Sequence, residues 1–253
     1  SLTDLPVNIL SIAIMMKLGV APLHFWMPEV LQGISLPTGL VLSTWQKIAP
    51  MTLLIQISHL ININLVITLG LASILIGAWG GMGQTQIRKI MAFSSIGHLG
   101  WIIIILKFDP QLSLFNFMLY LAMTTSTFLS LISISAVKML DISTSWAKTP
   151  ALTSTLMLVM LSLAGLPPLT GFAPKLLIIL ELIKQNATVL AATIMIISLL
   201  ALFFYLRLTY MITLTLPPNT PNSFSLWRTT HQPHLVTAIM NTITILLLPM
   251  TPY

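Results

Sequence analysis

The sequence contains no cysteine. That excludes a disulfide framework, a thiolate metal site and a Cys-ligated iron–sulfur cluster. Charge is nearly as scarce. Eleven Lys and Arg and five Asp and Glu make up 6% of the 253 residues, with a net charge of +6. A soluble domain carries about 25% charged residues, so too few are present to cover a globular surface. The 56% apolar content and mean hydropathy of +0.97 also exclude disorder, which requires low hydrophobicity. The pI of about 9.9 raises nucleic acid as a partner. However, the basic side chains stand singly between apolar runs, Arg88-Lys89 being the one adjacent pair, so no nucleic-acid surface is expected. Gly81-Met82-Gly83 lacks the third glycine of a dinucleotide loop and follows an apolar run, not a strand.

What is present is a series of long apolar runs. A spanning helix needs roughly 20 mostly apolar residues. Eight such runs are found: Leu5 to Pro22, Leu36 to Ser58, Ile63 to Gly80, Ile87 to Leu106, Leu112 to Val137, Ala151 to Leu182, Thr188 to Leu216 and Leu235 to Met250. The sixth is too long for one straight crossing. Gly80-Gly81, Asp109-Pro110, Pro217-Pro218, Asn219 to Asn222 and His231 to His234 punctuate them. The runs do not alternate, which rules against a β-barrel. The expected fold is an all-α polytopic membrane protein with about eight transmembrane helices.

Loop charges suggest an orientation. Arg88, Lys89, Lys138, Lys148 and Arg228 fall on one side, and Lys107 and Lys184 on the other. The more basic side is expected to face inward, leaving both termini outside. Trp26, Trp79, Trp146 and Trp227 fall at the same inner ends, as an interfacial belt would. The chain begins with Ser, and its opening has no basic n-region or small-residue cleavage site, so it does not read as a signal peptide.

Two breaks are alike. Gly19-Val20-Ala21-Pro22-Leu23-His24-Phe25-Trp26-Met27-Pro28 and Gly165-Leu166-Pro167-Pro168-Leu169-Thr170-Gly171-Phe172-Ala173-Pro174 share the pattern G-x-x-P-L-x-x-[WF]-x-P. The copies lie on the first and sixth runs, an odd number of crossings apart, so the second copy is upside down. An inverted repeat with Gly/Pro-broken helices in matching places points to a transporter's ion path. Broken backbone at membrane depth is tolerated only where it lines a cavity or is buried in protein.

Ionisable groups lie inside these runs. Lys47 sits midway through the second, too far from either end to reach water, where a Lys costs about 3 kcal/mol on insertion scales. Lys175 follows Pro174 at the second break, and Lys17 precedes the first break; each has an interface-reaching alternative. His98 lies inside the fourth run with Ser94 on the same helix face. An amine withdrawn from water, with a second amine nearby, exists neutral or protonated near pH 7 and can carry a proton. No carboxylate lies at the centre of a span, so Glu29 or a group upstream would have to serve as partner. The hydroxyls of Thr124, Thr125, Ser126, Thr127, Ser130 and Ser133 are expected to bond back to their own helix. Arg207, between Tyr205 and Tyr210, reads as an interface anchor. Glu181 and Lys184 read as a solvated pair. His231 and His234 lack a third ligand, so no metal site is expected.

The segments Lys17 to Glu29, Gln84 to Trp101 and Ala164 to Lys175 resemble the antiporter-like membrane subunits of respiratory complex I, the NADH:ubiquinone oxidoreductase. With Trp45-Gln46-Lys47 added, the resemblance narrows to a mitochondrial member of that family, and it covers nearly the whole chain. It implies an antiporter-like inverted repeat with two broken helices. Residues 1–58 would be the remainder of the first repeat, 59–216 the second repeat, and 217–253 a loop and C-terminal helix. It implies proton-transfer roles for Lys17, Lys47, His98 and Lys175. Glu29 holds the register position in the first repeat that Lys175 holds in the second, a departure from lysine symmetry. The family's channel begins with a Glu on an earlier helix, so the chain reads as an N-terminally incomplete copy.

The implied setting is the mitochondrial inner membrane, with both termini on the intermembrane-space side. The implied partners are other membrane-arm subunits of complex I and the lipid bilayer, in a hetero-oligomer and not a homo-oligomer. The complex would use NAD and ubiquinone, while this chain would bind no cofactor. Two alternatives stand beside this reading: a stand-alone cation/proton antiporter, and a structural membrane spacer whose lysines merely snorkel.

Overall fold

The computed structural model describes residues 4–146, 149–214 and 235–246. Within them the chain forms twelve helices: α1 Asp4–Leu18, α2 Trp26–Gly33, α3 Leu36–Ser43, α4 Trp45–Ile57, α5 Ile63–Met82, α6 Ile87–Leu106, α7 Pro110–Ile134, α8 Met139–Ser145, α9 Pro150–Ala164, α10 Phe172–Lys184, α11 Thr188–Leu214 and α12 Leu235–Leu246. The protein is an all-helical membrane protein. Helices α5, α6, α7 and α11 are each long and apolar enough to cross a bilayer in one piece. The expected ends at Leu216 and Met250 lie outside the described residues.

Helix α6 is the axis of the fold, with every residue from Leu99 to Leu106 buried. Three apolar clusters surround it. Ile87, Ile90, Met91 and Ile96 of α6 pack with Met27 and Leu31 of α2 and with Leu156, Met160 and Leu163 of α9. Further along, Leu99, Ile102, Ile103 and Leu106 pack with Met15 and Leu18 of α1 and Met51 and Leu54 of α4. Trp101, Ile104 and Ile105 pack with Ile178 and Leu182 of α10. Helices α1 and α2 therefore belong to different halves of α6, as do α9 and α10. The first run does not stop at Pro22: it continues through its break to Gly33, because α2 carries buried Met27, Pro28 and Leu31.

The second run is also interrupted, at Thr44 between α3 and α4. Conversely, Gly80 and Gly81 are no loop. They lie within α5, where a Cβ would meet the Phe93 ring at 2.3 Å and the Phe204 ring at 2.9 Å, so their lack of side chain serves helix packing. Helix α7 ends at Ile134, short of the expected Val137, with Ser135 in the left-handed region at φ 56°. The chain then forms α8, which apolar runs did not signal. Asp141 Oδ2 starts it by accepting from the backbone N–H groups of Val137 and Lys138 at 2.9 and 2.7 Å.

Polar ties collect at the two ends of the bundle. Lys107 Nζ donates to the Ser58 and His59 carbonyls at 3.2 and 2.6 Å, and Gln185 donates to the Phe108 carbonyl at 3.3 Å. At the other end Gln86 pairs with Lys138 in an antiparallel bridge, Arg88 donates to the Ile34 carbonyl, and Arg207 donates to the Met82 carbonyl.

Candidate functional site

The two Gly/Pro breaks are the same structure built twice. Helices α1 and α9 end at Leu18 and Ala164, and α2 and α10 begin at Trp26 and Phe172. Gly19 and Gly165 follow the first pair with φ of 82° and 83°. Such angles suit glycine, which has no Cβ to clash. Gly19 N–H donates to the Met16 carbonyl and Val20 N–H to the Met15 carbonyl, both at 3.1 Å. Gly165 N–H donates to Ser162 at 2.9 Å and Leu166 N–H to Leu161 at 3.5 Å. Both are Schellman closures, which satisfy carbonyls a helix end would otherwise orphan. Before each restart the pattern matches again: Met27 N–H donates to His24, and Ala173 N–H to Thr170, at 3.0 and 3.2 Å. Both breaks fall where the chain passes from one cluster around α6 to the next, the level at which α6 carries His98.

The Thr44 break frees a carbonyl at this level. Lys47 N–H donates to Thr44 at 3.2 Å, leaving the Ser43 carbonyl to another donor. That donor is Tyr120 of α7, whose hydroxyl reaches it at 3.2 Å. Lys47 Nζ in turn donates to the Tyr120 hydroxyl at 2.8 Å and lies 5.0 Å from the centre of its ring. Lys47 is 3% exposed and Tyr120 is 0% exposed. The apolar stem thus stays in the core while the ammonium group has a hydrogen-bond acceptor and an aromatic face. The His98 ring lies on Tyr120, with ring centres 5.8 Å apart.

On its other side His98 lines a cavity of about 20 Å³, room for one water molecule. Ser94, Gly97, Trp101, Lys175 and Tyr205 also line it. Lys175 folds back across the second break. Its Nζ donates to the Ala164 carbonyl at 2.7 Å and stands 5.9 Å from the centre of the Trp101 ring. A cation at the C-terminal end of α9 is favoured by the helix dipole. Lys47 meets His98 through Tyr120, and Lys175 meets it across the cavity. Buried Lys47 and half-buried His98 and Lys175 are therefore brought into one series.

Lys17 is not in that series. It is exposed on the last turn of α1 and makes no side-chain hydrogen bond among the described residues. Glu29 is exposed on α2, and among the described residues no ion pair joins it to a lysine. The Glu181–Lys184 pair stands at 3.4 Å on an exposed helix end, as expected. The six hydroxyls of α7 all donate to carbonyls three or four residues back in their own helix, also as expected. Arg207 is a tie to α5 through Met82. The Trp26 indole N–H donates to the Met16 carbonyl at 3.0 Å across the first break. Trp79 is exposed at its helix end, as a belt residue would be. Lys148, Trp227, Arg228, His231 and His234 lie outside the described residues.

Tyr120 was absent from the sequence-derived site. One signal was available. A tyrosine in the middle of an apolar run buries a phenol that needs a hydrogen-bond partner, and interfacial anchoring cannot explain it.

Comparison with known proteins agrees with this architecture. Residues 5–201 match the family described as the transmembrane region of NADH:quinone oxidoreductase and Mrp antiporter subunits. Residues 202–253 match the NADH dehydrogenase subunit 2 C-terminus. NADH-ubiquinone oxidoreductase chain 2 of Aquarana catesbeiana is 75% identical over 252 residues, covering 100% of this chain and 73% of the relative. A chain of respiratory complex I from Thermus thermophilus superimposes with a TM-score of 0.79 at 25% identity, covering 97% of this chain. This chain spans 58% of that one. A chain of the Mrp complex of Dietzia sp. shares the fold, with a TM-score of 0.70 at 20% identity over 80% of this chain and 40% of its own length. With its twin breaks, its buried Lys47 and a family match over most of its length, the chain belongs to the membrane subunits shared by NADH:quinone oxidoreductases and Mrp antiporters, in the NADH dehydrogenase subunit 2 branch.

Proposed function

We propose that this chain is a membrane subunit of the respiratory NADH:ubiquinone oxidoreductase and that it passes protons along Lys47, His98 and Lys175. The observation that carries the reading is the series itself: an ammonium on a phenol, an imidazole on the same phenol, then a water-sized cavity shared by the imidazole and a second lysine. Each neighbour is a group that can take or give a proton. Both helix breaks lie at this depth and supply polar backbone where apolar side chains would otherwise close the path. Electron transfer from NADH to ubiquinone would occur in other subunits and shift the protonation of this series through electrostatic coupling. Lys17, at the end of α1, would connect the series to a route outside the described contacts.

The corresponding domain reading assigns residues 1–58 to the first repeat, 59–216 to the second and 217–253 to the C-terminal segment. The chain would lie in the mitochondrial inner membrane among other membrane-arm subunits, with the Arg88 and Lys138 end facing inward. A stand-alone cation/proton antiporter is the second reading, favoured by the Mrp half of the family description.

The test is proton yield in assembled, vesicle-reconstituted complex carrying Lys47→Ala or Lys175→Ala. Both variants should translocate fewer protons per electron than the native complex. A native ratio in both overturns the reading. Cation-for-proton exchange by the chain alone, without a redox substrate, would favour the antiporter.

A further inference from the structure

The phenol between Lys47 and His98 has one proton to give, and the structure records where it is spent. Lys47 Nζ donates to the Tyr120 oxygen at 2.8 Å, and the Tyr120 hydroxyl donates to the Ser43 carbonyl at 3.2 Å. A carbonyl accepts a hydrogen bond but passes no proton on. In this arrangement a proton on Lys47 reaches the phenol and stops. We infer that Tyr120 gates proton transfer from Lys47 to His98, closed while its hydroxyl is held by the Ser43 carbonyl and open when that carbonyl is withdrawn. The inference rests on the relay reading above.

Packing leaves the phenol one useful freedom. The Tyr120 ring is fully buried, stacked on Phe117 at 6.3 Å between ring centres and against His98 at 5.8 Å. The ring is pinned, while the O–H bond can turn. The helix breaks at Thr44, where Lys47 N–H donates to Thr44 instead of Ser43, and the Ser43 carbonyl turns to the phenol. Thr44 supports that break by donating its own hydroxyl to the Leu40 carbonyl at 2.7 Å, a back-bond that bends helices. If the α3–α4 junction straightens, the Ser43 carbonyl turns along the helix axis to Lys47 N–H, away from the pinned phenol, and the phenol proton is released.

The open-state step then balances. A Lys47 N–H bond breaks as a new O–H bond forms at Tyr120. The original Tyr120 O–H bond breaks, and its proton goes to the imidazole of His98. Lys47 ends as a neutral amine, His98 as imidazolium, and Tyr120 unchanged. The gate thus ties proton release to the shape of a helix junction, which a neighbouring subunit or a change of charge nearby can move.

Three variants of the reconstituted complex test this. Tyr120→Phe keeps the ring and removes the hydroxyl, and its protons per electron should fall to the level of Lys47→Ala. Tyr120→Leu removes both and should fall no further. If Tyr120→Phe pumps like the native complex while Lys47→Ala does not, the gate is overturned and the relay stands. If Lys47→Ala itself pumps normally, both fall. Thr44→Ala acts in the opposite direction and does not depend on Tyr120→Phe assembling. It should straighten the junction and give a passive proton leak, without NADH, several-fold above native. An unchanged leak overturns the gate.

Discussion

Gly19 and Gly165, 146 residues apart in sequence, hold φ angles within a degree of each other and close their helices with the same pair of backbone hydrogen bonds. Their surroundings differ in one respect that bears on function. A Cβ on Gly19 would meet the flexible Met27 sulfur at 2.9 Å, whereas a Cβ on Gly165 would meet Lys175 Nζ at 2.7 Å.

Alanine at either glycine should therefore cost about 1 to 2 kcal/mol through left-handed strain. Only Gly165→Ala should also disturb proton transfer, by driving the Lys175 ammonium off the Ala164 carbonyl. Thermal midpoints of the solubilised complex measure the first effect, and protons per electron measure the second. Equal proton yields in the two variants would contradict the placement of Lys175.

A second contrast lies between Gly77 and Gly97, where α5 and α6 meet. A Cβ on Gly77 would stand 2.6 Å from the Gly97 backbone nitrogen and 2.9 Å from the Phe93 carbonyl, so the helices would have to separate. Gly77→Ala should destabilise by about 1 to 3 kcal/mol, as overpacking does. Around a Cβ on Gly97 there is nothing within 4 Å, and Gly97 lines the cavity between His98 and Lys175. Gly97→Ala should leave the thermal midpoint unchanged. Gly97→Leu should fill the cavity and lower proton yield while the complex still assembles, as native gels would verify.

The hydroxyl row of α7 gives a prediction of no effect. Ser126 and Thr127 are fully buried, but their hydroxyls donate only to Met123 and Thr124 of their own helix, both at 2.8 Å. Ser126→Ala removes a donor and leaves its acceptor still bonded within the helix. It should shift stability by less than about 1 kcal/mol and leave proton yield at the native value. A large loss of yield would place the row on the proton path.

Much of the site was legible because its signals are local. A lysine such as Lys47 inside an apolar run is anomalous wherever the run lies in space. The Gly/Pro pattern at both breaks announced two interruptions, and the structure places helix ends at matching residues. The Thr44 break was not announced, since neither glycine nor proline marks that position. The first run's continuation into α2 was missed for a related reason. Gly19 to Pro28 reads as an end to a helix, and nothing local says that burial resumes beyond it.

From composition and order alone came the membrane setting, the helical class, the paired breaks and the amines stranded in apolar surroundings. All of these depend on a residue and its near neighbours, whose hydropathy and backbone freedom do not require a fold. The tertiary structure alone decided that Lys47 meets Tyr120, that Lys175 reaches back to Ala164, and that Lys17 stands apart. The Lys47–Tyr120 pair is separated by 73 residues, with helices α5 and α6 between them. Depth and rotation of one helix against another are set by packing around α6, and a run of apolar residues carries no mark of which face it will turn inward.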